Sequence, residues 1–261
     1  MSEDLLHRYL DELPLGGWQF YDSLGSSNDV AMEWAKNGAG DMALVIADYQ
    51  TSGRGRFKRH WVTAPGAALA FSLVLHPTGQ ELRSLYQFAG LGAVAIVETF
   101  DGLGLNAQIK WPNDVLLNRQ KVAGILIENT WVGEALQALV IGIGINVSPP
   151  AVPPPDQVMF PATCLESVLG GPIDRWAVLK AVLENMIAWR KRFGTQEFFS
   201  RWDDRLAFKG EWVRISSTSG ADLVGRLIGL SPQGSLRLSL DDGREVNIDA
   251  GDVHLRSVDN Q

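Results

Sequence analysis

What most constrains this chain is a pair of neighbouring segments that are apolar all round. Residues 69–75 read as a strand with almost no polar position. Residues 80–100 read as a helix rich in Ala, Leu and Val, whose middle lacks a polar face. A strand without alternation needs cover on both faces, and such a helix supplies cover from inside a core. The expected architecture is therefore helices packed on a sheet. With 261 residues, 46% of them hydrophobic, the chain can form one large domain of this kind and a small one beside it.

The rest of the sequence fits around that unit. Trp18–Leu24 reads as a strand closed by Gly25, and residues 28–36 as a helix capped by Ser26 or Ser27. Residues 42–49 form a second strand, and residues 50–61, which have no apolar period, read as a loop. Asp114–Leu117, 122–131 and 136–145 are three further strands, with hairpin-type connections at 118–121 and 131–134. Residues 149–155 are a proline-rich surface crossing, and residues 174–193 and 196–206 are amphipathic helices. Near Lys209 the texture changes to short strands at 212–215, 223–230, 236–240 and 245–248, separated by turn residues such as Asp242-Gly243. Such strands indicate a small barrel of roughly 50 residues, marginal by itself. The boundary is expected near residue 208, dividing the chain into 1–208 and 209–261.

The net charge of -7 argues against a nucleic-acid footprint over the whole surface, but leaves room for a local basic pocket. The single cysteine, Cys164, can form no intrachain disulfide, which suits a reducing compartment; the expected location is the cytoplasm. Residues 1–13 lack a basic start followed by an apolar run, which argues against a signal peptide. The absence of an apolar run of about 18 residues argues against a membrane span.

Four segments could carry chemistry. In Gly53-Arg54-Gly55-Arg56-Phe57-Lys58-Arg59-His60-Trp61, four cations sit within six positions, and the glycines between them allow close backbone approach to a ligand. Arginine matches a carboxylate or phosphate with a planar fork. On charge alone, a solvated surface loop or an RNA-binding tract fits as well. The second segment is Lys110-Trp111-Pro112-Asn113-Asp114 with Lys121 and Gly124. Lys121 opens an apolar strand, so its amine is held and can neutralise charge developing on a phosphoryl or carboxyl oxygen; a plain hairpin-edge lysine is the simpler reading. In Gly142-Ile143-Gly144-Ile145-Asn146 the glycines share one strand face and leave it bare for a flat ligand or another backbone. Ser26-Ser27-Asn28 can serve a polar ligand group or simply cap a helix. His60 and His76 lack metal-ligand spacing, no protein metal site is indicated, and no Walker phosphate loop is present.

Taken together and in this order, these segments resemble the biotin–protein ligase family. Gln50, the run Lys121-Val122-Ala123-Gly124-Ile125-Leu126-Ile127-Glu128 and Pro161-Ala162-Thr163-Cys164-Leu165 join the match, which extends over nearly the whole chain from Trp18. The family commonly has serine where Cys164 stands. The resemblance implies an α+β (mixed α/β) fold, with a catalytic domain of helices on a mixed sheet and an SH3-like C-terminal barrel. It implies ATP and magnesium as cofactors and biotin as substrate. Biotin is activated as biotinyl-5′-AMP and passed to a lysine of a biotin carboxyl carrier protein or domain, of the acetyl-CoA carboxylase type.

The resemblance also implies roles. Ser26, Ser27 and Gln50 would hydrogen-bond the biotin head, beside Asn28. Arg54 and Arg56 would meet its carboxylate or the phosphate, with Gly55 in close approach. Lys121 would contact the reacting centre beside Gly124, and Asn146 would lie near the adenosine. Asp114 would either orient Lys121 or bind the incoming carrier lysine. Lys58 departs from the family's loop, which usually has a glycine there; lysine resists φ > 0. Some members carry an N-terminal helix-turn-helix, for which the 17 residues before Trp18 leave no room, so no DNA partner is expected. Family members are monomers or homodimers. Two other readings remain: a lipoyl- or octanoyl-type acyltransferase using Cys164, and a non-catalytic biotin sensor.

Overall fold

In the computed structural model, residues 3–79, 81–85, 87–133, 135–158, 160–217, 222–249 and 253–257 are described. The main sheet has seven strands: β1 Trp18–Leu24, β2 Ala43–Gln50, β3 Ala68–Leu75, β4 Ala107–Lys110, β5 Asp114–Leu117, β6 Gln120–Val132 and β7 Ala135–Asn146. Their spatial order is β1-β2-β3-β7-β6-β5-β4, with β1 and β2 parallel and the other pairs antiparallel.

All eight positions of β3 are buried, because the sheet is covered on both faces. One face takes α3 Gln87–Gly102 and α5 Arg175–Arg190, over large residues such as Ile46, Phe71, Leu73, Ile141 and Ile143. The other face takes α2 Ser27–Lys36, whose Ala31 and Ala35 pack on small sheet residues, Ala43, Val45, Val74 and Val140. The small face lets α2 approach closely, which brings its N-terminus to the middle of the sheet.

Helix α3 is shorter at its start than the apolar pattern predicts. Glu81–Arg83 is a separate 3-10 turn, where Glu81 binds Arg190 and Leu82 is exposed. Three short elements were not legible. Helix α1 Glu3–Leu10 buries Leu6 and Leu10; β4 is only four residues long; and α4 Leu165–Leu169 spans barely more than one turn. Helix α6 Gln196–Asp204 starts at a Thr195 cap.

The C-terminal part is the small SH3-like barrel. Its strands β8 Trp212–Ser217, β9 Leu223–Leu230, β10 Leu236–Ser239, β11 Glu245–Ile248 and β12 Val253–Ser257 run in the order β11-β10-β9-β8-β12. Strand β12 lay beyond the sequence pattern. The barrel's buried Val213, Ile215, Leu227, Leu236 and Leu238 belong to the same apolar cluster as the main sheet. Among the described residues, no helix is long and apolar enough to cross a membrane.

Candidate functional site

One cavity of about 530 Å³ opens on the α2 face of the sheet. That volume suits a small-molecule site. It is lined by Ser26, Ser27, Asn28, Gln50, Arg54, Gly55, Arg56, Asp114, Lys121, Gly124 and Asn146, so the structure brings together every site residue the sequence suggested.

At one end the groups are neutral. Ser26 is the N-cap of α2 by backbone geometry, but its side chain makes no capping hydrogen bond. The Ser27 amide donates to Gln50 Oε1 at 2.8 Å, and its hydroxyl lies 3.1 Å from the same oxygen. Asn28 Nδ2 donates to Glu128 Oε2 at 2.6 Å. At the far side of the cavity, the Asn146 amide nitrogen donates to the Thr163 carbonyl.

The other end is charged and rests on the β4–β5–β6 hairpins. The β5–β6 turn is a two-residue hairpin with positive φ at Asn118 and Arg119, which matches the strand twist. Arg119 is held there by a two-pronged ion pair to Glu211. A register shift follows between Val115 and Leu116 of β5. Such a bulge re-aims side chains. In a regular strand Lys121 and Gly124 would face opposite ways; here the Lys121 ammonium lies over Gly124, 3.1 Å from where a Cβ would stand. Lys121 is further held by its own backbone, which hydrogen-bonds both Pro161 O and Thr163 N.

Asp114 is the hub of this end. It accepts from Lys121 at 2.6 Å and pairs with Lys110 at 3.6 Å. Burial alone would raise its pKa, but the two lysine charges more than offset that and hold it below the usual carboxylate range. Burial lowers the pKa of Lys110; the charges of Lys121 and Arg59 add to the effect and Asp114 only partly offsets it. The Lys110 ammonium also faces the Phe160 ring, 4.9 Å from its centroid.

The basic loop closes over the cavity as a tight irregular hairpin. Trp61 N donates to Gly53 O, and Gly55 N to Arg59 O. The left-handed backbone falls on Phe57, at φ 57, one residue before Lys58. Its ring is faced by Arg56 and Arg59, with guanidinium carbons 4.8 and 5.6 Å from the centroid. The sequence offers the loop no core anchor before Trp61, yet Arg54 ties it to α2 and β6 by ion pairs at its rim. It donates to Asp29 at 2.6 Å and to Glu128 at 3.0 Å. Burial would lower the Arg54 pKa, and these two carboxylates more than reverse that.

The glycine face of β7 is covered by the protein itself. A Cβ on Gly142 would sit 2.2 Å from Asn28 Oδ1, and one on Gly144 would sit 2.3 Å from the Trp61 indole. The glycines thus make room for an amide and an indole of this chain, rather than leaving the face bare as the alternation suggests. Both still reach the cavity wall.

A biotin–[acetyl-CoA-carboxylase] ligase from Paracoccus denitrificans is 35% identical over 231 residues, covering 85% of this chain and 93% of that one. The chain belongs to the biotin–protein ligase family. The model of the biotin/lipoate A/B protein ligase family matches residues 23–146. The bifunctional ligase/repressor BirA of Bacillus subtilis is 33% identical over 243 residues, 90% of this chain and 73% of that protein. Among solved structures, the biotin protein ligase of Aquifex aeolicus in complex with biotin and ATP matches with a TM-score of 0.81 and 28% identity, over 93% of this chain and 99% of that one.

Within this biotin–protein ligase fold, Cys164 is fully buried, lies outside the cavity lining and sits 3.0 Å from the Ser167 hydroxyl. A thiolate acyltransferase would need that sulfur in the cavity. Two polar residues just behind the wall were not singled out as site residues. Ser72 is completely buried, and Glu128 joins Arg54 to Asn28. Ser72 had a readable signal: it is the lone hydroxyl in an apolar strand, and a buried hydroxyl requires a partner.

Proposed function

We propose that this chain activates biotin with ATP and transfers it to a lysine of a biotin carboxyl carrier domain of the acetyl-CoA carboxylase type. The observation that carries this reading is the polarity of the cavity. A neutral end built from Ser26, Ser27 and Gln50 suits an uncharged ring rich in hydrogen-bonding groups, and a cationic end built from Lys121 and Arg56 suits a carboxylate beside a triphosphate.

The chemistry follows from those charges. A carboxylate is a poor acylating agent, and it repels a triphosphate. Lys121 and Arg56 offset the repulsion and stabilise the charge that grows as the carboxylate oxygen bonds to the α-phosphorus and pyrophosphate leaves. Asp114 holds the Lys121 ammonium on the reacting side, which favours its orienting role. Gly124 leaves room beneath that ammonium, Gly55 admits close approach of the anion, and Asn146 lies toward the adenosine. Arg54, engaged by Asp29 and Glu128, anchors the loop rather than meeting the anion. In the second step the carrier amine attacks the acyl carbon of biotinyl-5′-AMP; AMP leaves with the bonding electrons, and the amine loses a proton.

Magnesium fits the nucleotide better than a protein cage. No group of three His, Cys, Asp or Glu side chains converges on a metal position among the described residues, and Asp114 is already shared by two lysines. Carried on the phosphates, the ion would neutralise part of their charge. The test is incubation with biotin, ATP, magnesium and an apo carrier domain. Pyrophosphate release and a biotinylated carrier are expected. Biotin binding without pyrophosphate would instead identify a sensor.

A further inference from the structure

Behind the neutral end of the cavity runs a continuous chain of polar groups, buried at Asn28, Ser72, Ser27 and Gln50 and half-buried at Glu128 and Arg54. Glu128 Oε2 accepts from Arg54 Nη2 at 3.0 Å and from Asn28 Nδ2 at 2.6 Å. Asn28 Oδ1 lies 2.6 Å from Ser72 Oγ, Ser72 Oγ lies 2.7 Å from Ser27 Oγ, and Ser27 Oγ lies 3.1 Å from Gln50 Oε1. Ser27, Asn28 and Gln50 line the cavity; Glu128 and Ser72 do not.

Counting protons gives this chain a direction. A carboxylate only accepts, so Asn28 must turn its NH2 toward Glu128 and its carbonyl toward Ser72. Ser72 has one proton, and the Asn28 carbonyl takes it. The contact between Ser72 and Ser27 then needs the Ser27 proton, whose other acceptor within reach is Gln50 Oε1, fixed as an oxygen by the Ser27 backbone amide. Both places for the Ser27 proton lie within the protein. What Ser27 offers the cavity is therefore lone pairs.

We propose that Glu128 and Ser72 are positioning residues that fix Ser27 as a hydrogen-bond acceptor, and so select a ligand with an N–H at that point. This rests on the biotin reading, in which the N–H belongs to the ureido ring. The relay deepens that reading, because it states why this end prefers a cyclic urea over an isosteric ring with oxygen in place of N–H. A site built to pair a substrate N–H strongly rejects the analogue that lacks it.

Two substitutions break the relay at different points. Glu128→Gln keeps the shape but can donate, so Asn28 can turn over and the chain of protons can reverse. Ser72→Ala removes one link without touching a charge. The probes are biotin and its two cyclic carbamate analogues, in which a ring oxygen replaces one or the other ureido N–H. Affinities are measured by calorimetry without ATP, and the KM for ATP by pyrophosphate release.

The wild-type protein is expected to prefer biotin over at least one carbamate by about tenfold or more. Both variants are expected to lose most of that preference and to bind biotin about tenfold more weakly; in Ser72→Ala, which leaves the Glu128–Arg54 pair intact, the KM for ATP should stay within about twofold of wild type. A general loss of structure would move both constants together. Unchanged discrimination in both variants would overturn the relay alone. Failure of the wild-type protein to bind biotin would overturn the relay together with the reading it rests on.

Discussion

The cavity's cations come from two regions built in opposite ways. The basic loop, residues 53–61, is held by a few backbone bonds and by ion pairs at its rim; the Arg54 side chain is 36% exposed and Asp29 58%. The lysine hairpins, residues 107–125, lie in the sheet. Trp111, next to Lys110, is buried and donates its indole N–H to Gly234 O in the barrel at 2.9 Å. Arg119, two residues before Lys121, is tied to Glu211 beside β8. The barrel thus grips the hairpins on both sides of Asp114. A group that must meet a forming bond gains from such fixity, whereas one that must admit the ligand gains from a rim that can part.

The sharpest way to break this comparison is Lys121→Ala. If the fixed hairpin carries the chemistry, pyrophosphate release should fall about 100- to 1,000-fold, with the far-ultraviolet circular dichroism spectrum unchanged. A near-normal rate would shift the catalytic burden to the loop.

The next test concerns how firmly the hairpin is held. Trp111→Phe keeps a ring in place but leaves the Gly234 carbonyl without its donor, which should cost about 1–3 kcal/mol in denaturant unfolding. Arg119→Ala breaks a pair whose partners are 52% and 43% exposed, and should cost no more than about 1 kcal/mol. Equal losses would mean that the barrel's grip is no deeper than a surface contact.

How much of this was legible follows the same division. The two-sided sheet could be read from the apolar strand at 69–75, and each cavity segment from its local composition. The connections could not, because they join distant positions. Arg54 finds Asp29 across 25 positions and Glu128 across 74, and Trp111 finds Gly234 across 123. The glycines at 142 and 144 were visible, but what they make room for was not. An indole from the end of the loop fills one and an amide from α2 the other, and only the fold brings them there.

Amide hydrogen exchange sharpens the contrast further. Amides of Lys121, Ile125 and Thr163 bond within the hairpins or between Lys121 and the segment 161–163 beside it, and those of Gly55, Arg59 and Trp61 only within the loop. The first group should exchange at least about tenfold more slowly in the unliganded protein. Biotin with ATP should slow the second group and leave the first unchanged. Equal protection of the two groups, or a ligand effect confined to the hairpin, would reverse the assignment of fixed and yielding parts.

The smallest expected effect is on acid stability, because burial and charge oppose each other at Asp114. The lysines win, and the folded-state pKa lies below the unfolded one. The folded state therefore binds the Asp114 proton less readily, and the resulting stability is complete above the ordinary carboxylate range. It declines as pH falls through the folded-state value and is gone below it. Asp114→Asn lacks this contribution at every pH. The stability difference between wild type and variant should be largest near neutrality and should shrink on acidification, measured by denaturant unfolding at stepped pH. A difference that grew on acidification would mean that burial outweighs the lysines and that Asp114 is held above its ordinary range. The hairpin would then be the strained region of the two, and its fixity would be imposed by the barrel rather than by its own charges.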